Sequence, residues 1–176
     1  MLAFVLRRLL QAVVVMTGDD HGNNGTSGQF DFFGSRSVAG CSVADWECIR
    51  GTSYLYPSTP IPQAQASAFV SQGFELGVHV TTLCSDYTPT SLTGSFGGDL
   101  AAFAAAFPAL PAARTNRTHC IPWSDYDSQP AVELAHGIRL DTNYYYWPSG
   151  WVNNAPGLFT GSGMPMRFAG AGGALI

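Results

Sequence analysis

The sequence predicts an α/β protein built on a parallel β-sheet. Short apolar runs alternate with helical patterns along the chain, each run stops at Gly, Pro or polar residues, and several helical patterns end in front of Gly or Pro. Strands that alternate with helices imply a parallel sheet, which is either a barrel or a doubly wound sheet. A chain of 176 residues with 46% hydrophobic and 11% charged residues is long and apolar enough to form one folded domain.

The alternation predicts six strands and three helices. The strands cover residues 12–16, 51–56, 74–80, 115–120, 138–141 and 164–168. The helices cover residues 62–72, 99–107 and 130–136. Gly73 and Gly137 suit the position that follows a helix, and Pro108 cannot continue one.

The charge balance excludes some classes of function. The formal net charge is −4, and no basic cluster follows the first ten residues. The sequence therefore offers no basic patch that would bind the phosphate groups of a nucleic acid. The sequence contains no Lys, which excludes a Schiff-base lysine and a P-loop. Carboxylate, imidazole and thiol chemistry remain, and no feature indicates a protein partner.

The four cysteines lack the close pairs of a zinc ribbon, and we expect disulfides. Cys41 and Cys48 could close a small loop, whereas Cys84 and Cys120 each follow a predicted strand end. The sequence does not fix the pairing. An oxidising compartment follows if either pair forms.

Residues 1–11 form an apolar head, and residues 12–176 form the predicted domain. Arg7 and Arg8 follow the apolar run instead of preceding it, which is unlike a signal peptide, and the segment is short for a membrane span. Residues 1–10 resemble the start of dipeptide-type ABC permeases. A membrane-associated fragment is therefore one alternative for the chain.

Polar residues follow successive predicted strands. Ligands of parallel sheets lie beyond the carboxyl ends of the strands, so these residues should gather on one face: Asp19, Asp20, His79, Arg117, His119 and Asp141. Because side chains alternate along a strand, one aspartate could bind a cation while the other accepts or donates a proton. The structural alternatives are a turn with a helix N-cap at the aspartates, a core histidine, an ion-pair arginine and a helix cap at Asp141.

The order of these motifs resembles a known family. Four motifs carry the resemblance: Thr-x-Asp-Asp after a strand, Gly-Phe-Glu-Leu-Gly-x-His, Arg-x-His and Ala-His-Gly-Ile-Arg-x-Asp-Thr-Asn. Over about residues 12–168, the chain resembles the NodB-type polysaccharide deacetylases, carbohydrate esterase family 4. The resemblance implies an irregular (β/α) barrel. About six strands are present, so we expect an incomplete barrel that is truncated at its C-terminal end.

The resemblance also assigns roles within the site. Asp19 would be the catalytic base, and Asp20 and His79 would be metal ligands. Arg117 would orient the base, and Asp141 would lie on the strand that helps to bind substrate.

The sequence departs from the family at Leu83, where a second metal-binding histidine is usual. His119 is our preferred replacement ligand, with His21 as the alternative. A late histidine that acts as general acid in the family has no counterpart here. The ion implied is divalent, with zinc the expected metal for Asp and His ligands.

These roles imply metal-dependent hydrolysis of an N-acetyl or related acyl group on a carbohydrate, outside the cell or in its envelope. An aromatic stretch, from which we select Tyr145, Trp147 and Trp151, would offer flat faces to sugar rings. Core packing is the alternative for these rings. A degenerate barrel that binds carbohydrate without catalysis is the alternative for the whole domain.

Overall fold

The fold was analysed in a computed structural model, which describes residues 16–120, 122–143 and 167–176. The described part contains five strands, namely β1 (Thr17–Asp20), β2 (Thr52–Leu55), β3 (Glu75–Val78), β4 (Thr115–Asn116) and β5 (Leu140–Asp141). It also contains four helices, namely α1 (Gly25–Arg36), α2 (Gln63–Ser71), α3 (Pro89–Ala106) and α4 (Ser128–Ala135). Strands and helices alternate throughout.

The five strands form one parallel sheet in the order β1-β2-β3-β4-β5. Each strand pairs with the next strand along the chain, so every right-handed crossover runs in the same direction and places its helix on the same face. A doubly wound sheet would reverse this order at a switch point. The structure therefore selects the barrel alternative, as a half-barrel with helices on its outer face.

The core lies between the sheet and this helical layer. Phe30 of α1 stacks on Phe74 with ring centroids 4.2 Å apart and meets Phe69 of α2 edge to face. Helix α3 buries Leu92, Phe96 and Phe103, which lie on one face because they are four and seven residues apart. Large apolar side chains of β2, β3 and helices α1 to α3 are thus buried in one cluster.

The second to fifth predicted strands and the three predicted helices are confirmed with altered bounds, whereas residues 12–15 of the first predicted strand lie outside the described residues. Strand β1 includes Asp19 and Asp20, which we had placed beyond its end, and helix α3 begins ten residues before the predicted Asp99 start, at Pro89. Of the sixth predicted strand, residues 164–166 lie outside the described residues, and Arg167 and Phe168 are not in a strand. Ala169 instead forms an isolated antiparallel bridge with Leu175.

Helix α1 was not predicted as an element. Three of its twelve residues are Gly (Gly25, Gly28 and Gly34), which lowers its intrinsic helix propensity. The buried side chains of Thr26 and Phe30 supply the tertiary contacts that the local sequence does not reveal. Tertiary packing therefore determines this helix.

Two disulfides join Cys41 to Cys48 and Cys84 to Cys120. The expectation of disulfides is confirmed, and disulfides of this kind are typical of oxidising compartments. No helix in the described ranges is long and apolar enough to cross a membrane. The apolar head lies outside the described residues, and its assignment stays a prediction.

Replacing Phe30 with Ala should lower the free energy of unfolding by about 3–5 kcal/mol, because a ring that is 1% exposed would leave a cavity. Urea unfolding followed by circular dichroism measures this change. Phe32→Ala on the same helix is the control, since that ring is 54% exposed and its loss should cost less than about 1 kcal/mol. Equal effects of the two variants would contradict this description of the core.

Candidate functional site

Three histidines lie together at the carboxyl edge of the sheet. His21 follows β1, His79 follows β3, and His119 follows β4. The Nε2 atom of His79 lies 3.2 Å from Nε2 of His21 and 3.2 Å from Nδ1 of His119. The ligand atoms of all three rings lie within 4.8 Å of one another. Three elements far apart in sequence thus bring three imidazoles to one point.

One hydrogen bond orients the central ring. Nδ1 of His79 lies 2.7 Å from the carbonyl oxygen of Arg117. A carbonyl can only accept, so Nδ1 bears the proton and Nε2 presents its lone pair to the other two histidines. A backbone carbonyl on the distal nitrogen is the usual second partner of a metal-binding histidine, because it fixes both tautomer and ring orientation.

The central ring is neutral at ordinary pH. His79 is 1% exposed, and its burial lowers the pKa to about 4, against the opposing effects of Asp19 and the Arg117 carbonyl. Burial, aided by His21, also lowers the pKa of His119. A neutral imidazole is the form that binds metals, so the lone pair of His79 is available throughout the physiological range.

Tyr56 provides a fourth ring that the sequence analysis missed. Its ring centroid lies 5.6 Å from that of His21, 5.1 Å from that of His79 and 5.5 Å from that of His119. Burial raises the pKa of the Tyr56 hydroxyl. The signal was available, because Tyr56 directly follows β2 and so lies at the same edge as the histidines.

Asp19 and Arg117 form an ion pair beside the histidines. Arg117 Nε lies 3.3 Å from Asp19 Oδ2, as a charge contact and not as a directed hydrogen bond. The Asp19 side chain is 25% exposed and the Arg117 side chain 21% exposed. The negative charge of Asp19 opposes the lowering of the pKa of His79 and of His119 by burial, so it acts at the imidazole cluster.

Asp20 points to the other side of β1. Its carboxylate accepts hydrogen bonds from the backbone N–H groups of Gly22, Asn23 and Thr26 and from the Thr26 hydroxyl, at 2.7–3.0 Å. The Thr26 hydroxyl also lies 2.6 Å from that of Ser53. Asp20 therefore holds the turn into α1, which is the capping alternative, and the structure does not group it with the histidines as a ligand.

A buried polar network lies behind the segment that holds Arg117 and His119. The side-chain amide of Asn116 donates to Glu133 at 2.7 Å, and that of Gln129 donates to Glu133 at 2.9 Å. Three side-chain amide nitrogens lie 2.8–3.1 Å from the Thr118 hydroxyl oxygen, those of Asn116, Gln129 and Asn143. Burial raises the pKa of Glu133 well above its usual value. Alternation along this segment places Asn116 and Thr118 in the network and their neighbours in the site.

Asp141 joins this network to the ion pair. Its carboxylate accepts from the Asn143 N–H at 2.6 Å. Burial raises the pKa of Asp141 to about 7, against the opposing effects of Asn143 and of the Arg117 charge. The structure thus places Asp141 within the electrostatic reach of Arg117, and its predicted contact with substrate stays a prediction.

The remaining predicted positions lie elsewhere. Leu83 is 81% exposed, with a φ of 56°. Tyr145, Trp147 and Trp151 fall outside the described residues, so their role at sugar rings stays a prediction. Both proposed replacements for the missing histidine, His119 and His21, are present in the cluster.

The donor set fits a zinc ion. Tetrahedral Zn–N bonds of about 2.0–2.1 Å place two nitrogens about 3.3 Å apart. The two nitrogen separations around His79 Nε2 are both 3.2 Å. Three imidazoles with one exposed member, His21, match a site that leaves a fourth position open.

Sequence comparisons give no relative. No protein-family model matches the chain, and no curated protein matches it.

Solved structures do match the fold. Two crystal structures of mutants of a CE4 family pseudoenzyme, one of them with restored enzymatic activity, match with TM-scores of 0.54 and 0.52. Each is 14% identical, and the match covers 76% of this chain and 45% of the other. A polysaccharide deacetylase from Bacillus cereus matches with a TM-score of 0.51 at 14% identity, over 74% of this chain and 60% of its own.

The predicted resemblance to the NodB-type deacetylases is confirmed by these matches as a shared α/β fold. The chain spans about half the length of the structures it matches. At such identities the likeness concerns the fold alone, and the chemistry must be inferred from this chain's own residues.

Replacing Asp20 with Asn should destabilise the protein more at pH 7 than at pH 3. Burial raises the pKa of Asp20, but the hydrogen bonds from Thr26, Asn23 and Gly22 outweigh it and hold the pKa below 3.8. A lowered carboxyl pKa contributes stability above the unfolded-state value, and this contribution is lost as the pH falls through the folded-state pKa.

Urea unfolding of the wild-type protein and the Asp20→Asn variant at both pH values tests this expectation. Asp31→Asn, which changes an exposed aspartate on helix α1, is the matched control. A destabilisation by Asp20→Asn that stays constant between pH 7 and pH 3 would show that the carboxylate charge does not hold the turn.

Proposed function

We propose that the protein is a metal-dependent hydrolase that removes N-acetyl or related acyl groups from a carbohydrate. The observation that supports the proposal is the cluster of His21, His79 and His119 beside the Asp19–Arg117 ion pair. A set of metal ligands next to an accessible carboxylate is what metal-assisted hydrolysis requires.

The three imidazoles would hold the ion, with zinc as the proposed metal. When bound, such an ion lowers the pKa of a water molecule and polarises the acyl carbonyl. The Arg117 carbonyl would keep His79 in the binding tautomer, and the Tyr56 ring would keep the three imidazoles in place. The exposed side of His21 would leave the fourth position open to substrate.

Asp19 is the proposed general base. Its carboxylate is within reach of solvent and close enough to the cluster to affect the pKa of two histidines. Asp19 would take a proton from the attacking water, after which the bond from the acyl carbon to nitrogen breaks and the amine leaves with a proton. Arg117 would orient the carboxylate through the 3.3 Å ion pair.

The substrate class rests on the fold. The structures with this fold include a polysaccharide deacetylase, which supports a carbohydrate as the ligand. The two disulfides support a location outside the cell or in its envelope.

A degenerate barrel that binds carbohydrate without hydrolysis is the second candidate. Leu83 stands where a histidine is usual in the family, and its side chain is exposed instead of contacting the cluster. Similarity to a CE4 family pseudoenzyme favours the same candidate. Metal content separates the two functions.

Wild-type protein should retain about one zinc ion per chain after reconstitution and desalting, measured by elemental analysis. His79→Ala and His119→Ala should lose it, because each removes a ligand. His136→Ala is the matched control, since this fourth histidine stacks on Phe96 and is not among the clustered ligands. Asp20→Asn should also keep its metal. Folded wild-type protein that holds no zinc would leave the degenerate barrel as the better account.

Asp19→Asn should keep the zinc but release acetate from N-acetylated oligosaccharides at least about 100-fold more slowly, because the variant lacks a base. Acetate release measured with saturating substrate gives the comparison. Asp31→Asn again serves as the control. Loss of zinc together with activity would instead identify Asp19 as a metal ligand.

A further inference from the structure

We propose that reduction of the Cys84–Cys120 disulfide creates a second metal site, formed by Cys84, Cys120 and His119. This site shares His119 with the three-histidine cluster. Two thiolates and one imidazole form a Cys2His set, which is a zinc-binding combination in proteins.

The three donors are already close together. The two cysteines have Cα atoms 5.2 Å apart, and Cys120 directly follows His119. The two sulfur atoms and a ring nitrogen of His119 lie within 4.8 Å of one another. Tetrahedral zinc thiolate bonds of about 2.3 Å place two sulfur atoms about 3.8 Å apart, so the two cysteine side chains would rotate apart once the S–S bond opens.

The disulfide is placed where a reductant can reach it. Cys84 is exposed in the loop after β3, and Cys120 is half-buried in the loop after β4. Cys84 and Cys120 have φ values of 59° and 61°, and Leu83 has 56°. Left-handed backbone is unfavourable at residues with a side chain, so the two loops are expected to relax once the S–S bond opens.

The chemistry balances with a dithiol as the reductant. The dithiol gives two electrons and two protons to the Cys84–Cys120 bond and becomes a disulfide itself. The two thiols formed lose their protons when a zinc ion binds, because the thiolate is the ligand. Soft thiolate donors are preferred by zinc, so the reduced loops would compete for the ion.

The shared histidine makes the two sites exclusive if one nitrogen of His119 serves both. Reduction would then withdraw His119 from His21 and His79 and lower the hydrolase activity. This consequence rests on the proposed function, whereas the second site itself does not. The two can therefore be tested apart.

The test uses the double variant Cys41→Ser/Cys48→Ser, in which the only remaining thiols on reduction are Cys84 and Cys120. His79→Ala is added to disable the three-histidine cluster. Cobalt(II) is the probe, because thiolate ligands give a charge-transfer band in the near ultraviolet. A phosphine reductant opens the disulfide without binding cobalt through sulfur.

We expect the oxidised His79→Ala protein to show no thiolate band and the reduced protein to bind about one cobalt with the band present. Adding His119→Ala should weaken this binding at least about tenfold, as loss of one ligand implies. Absence of the band in reduced, folded protein would overturn the proposal, and so would unchanged affinity after His119→Ala.

A second comparison keeps the test decisive if loss of the Cys41–Cys48 disulfide unfolds the chain. Reduced wild-type protein is then compared with reduced Cys84→Ser/Cys120→Ser, and only the former should show the additional thiolate band. The same band in both proteins would assign the binding to Cys41 and Cys48 and overturn the proposal. Zinc retention by oxidised wild-type protein reports on the proposed function separately.

Discussion

The hydrogen bond from His79 Nδ1 to the Arg117 carbonyl is the contact on which the site depends most. Between β3 and β4 the sheet has one register pair, Val78 with Asn116, and beyond it the contact continues through His119 N–H to the Val80 carbonyl at 2.7 Å. The His79 bond extends this junction into the site. The same bond fixes the tautomer of the central imidazole, so strand pairing and ligand geometry are maintained by one interaction.

The cost of burying polar groups explains the layer behind the site. Asn116, Thr118, Gln129 and Glu133 are almost completely buried, and a buried polar group without a partner costs about 1–3 kcal/mol. Their mutual hydrogen bonds offset much of this cost, although the amide oxygens of Asn116 and Gln129 have no partner among the described residues, and the bonds connect the segment 116–119 to helix α4. Arg117 and His119 extend from the opposite side of that segment. The polar network is therefore a support for the site and not part of its chemistry.

The sequence predicted at which edge of the sheet the site lies. It predicted the individual contacts within the site less well. His79, Arg117 and His119 follow strand ends, and parallel strands bring such residues to one edge whatever the details of packing. The separation of Asp19 from Asp20 depends on where β1 ends, and strand bounds are the least predictable feature of a sequence. The contact between Glu133 and Asn116 was not predictable, because Asn116 is distant in sequence and meets Glu133 only in the folded chain.

The set of metal ligands implied by the resemblance differs from the set of histidines that the structure brings together. The resemblance implies a ligand at the position of Leu83, and the structure instead brings two other histidines to His79, one after β1 and one after β4. His21 and His119 reach His79 from opposite sides of it in the sheet order. The cluster therefore has three imidazoles, where the predicted ligand set combined Asp20 with two histidines.

The consecutive order of the strands has a consequence for how the chain acquires this site. His21 and His79 are 58 residues apart along the chain, and His79 and His119 are 40 residues apart. No fragment shorter than three complete βα units therefore contains all three histidines. Bringing together residues that are so far apart in sequence has an entropic cost and is slow. It therefore follows the formation of the local helices. The three-histidine cluster would therefore form late in folding, after three βα units have assembled.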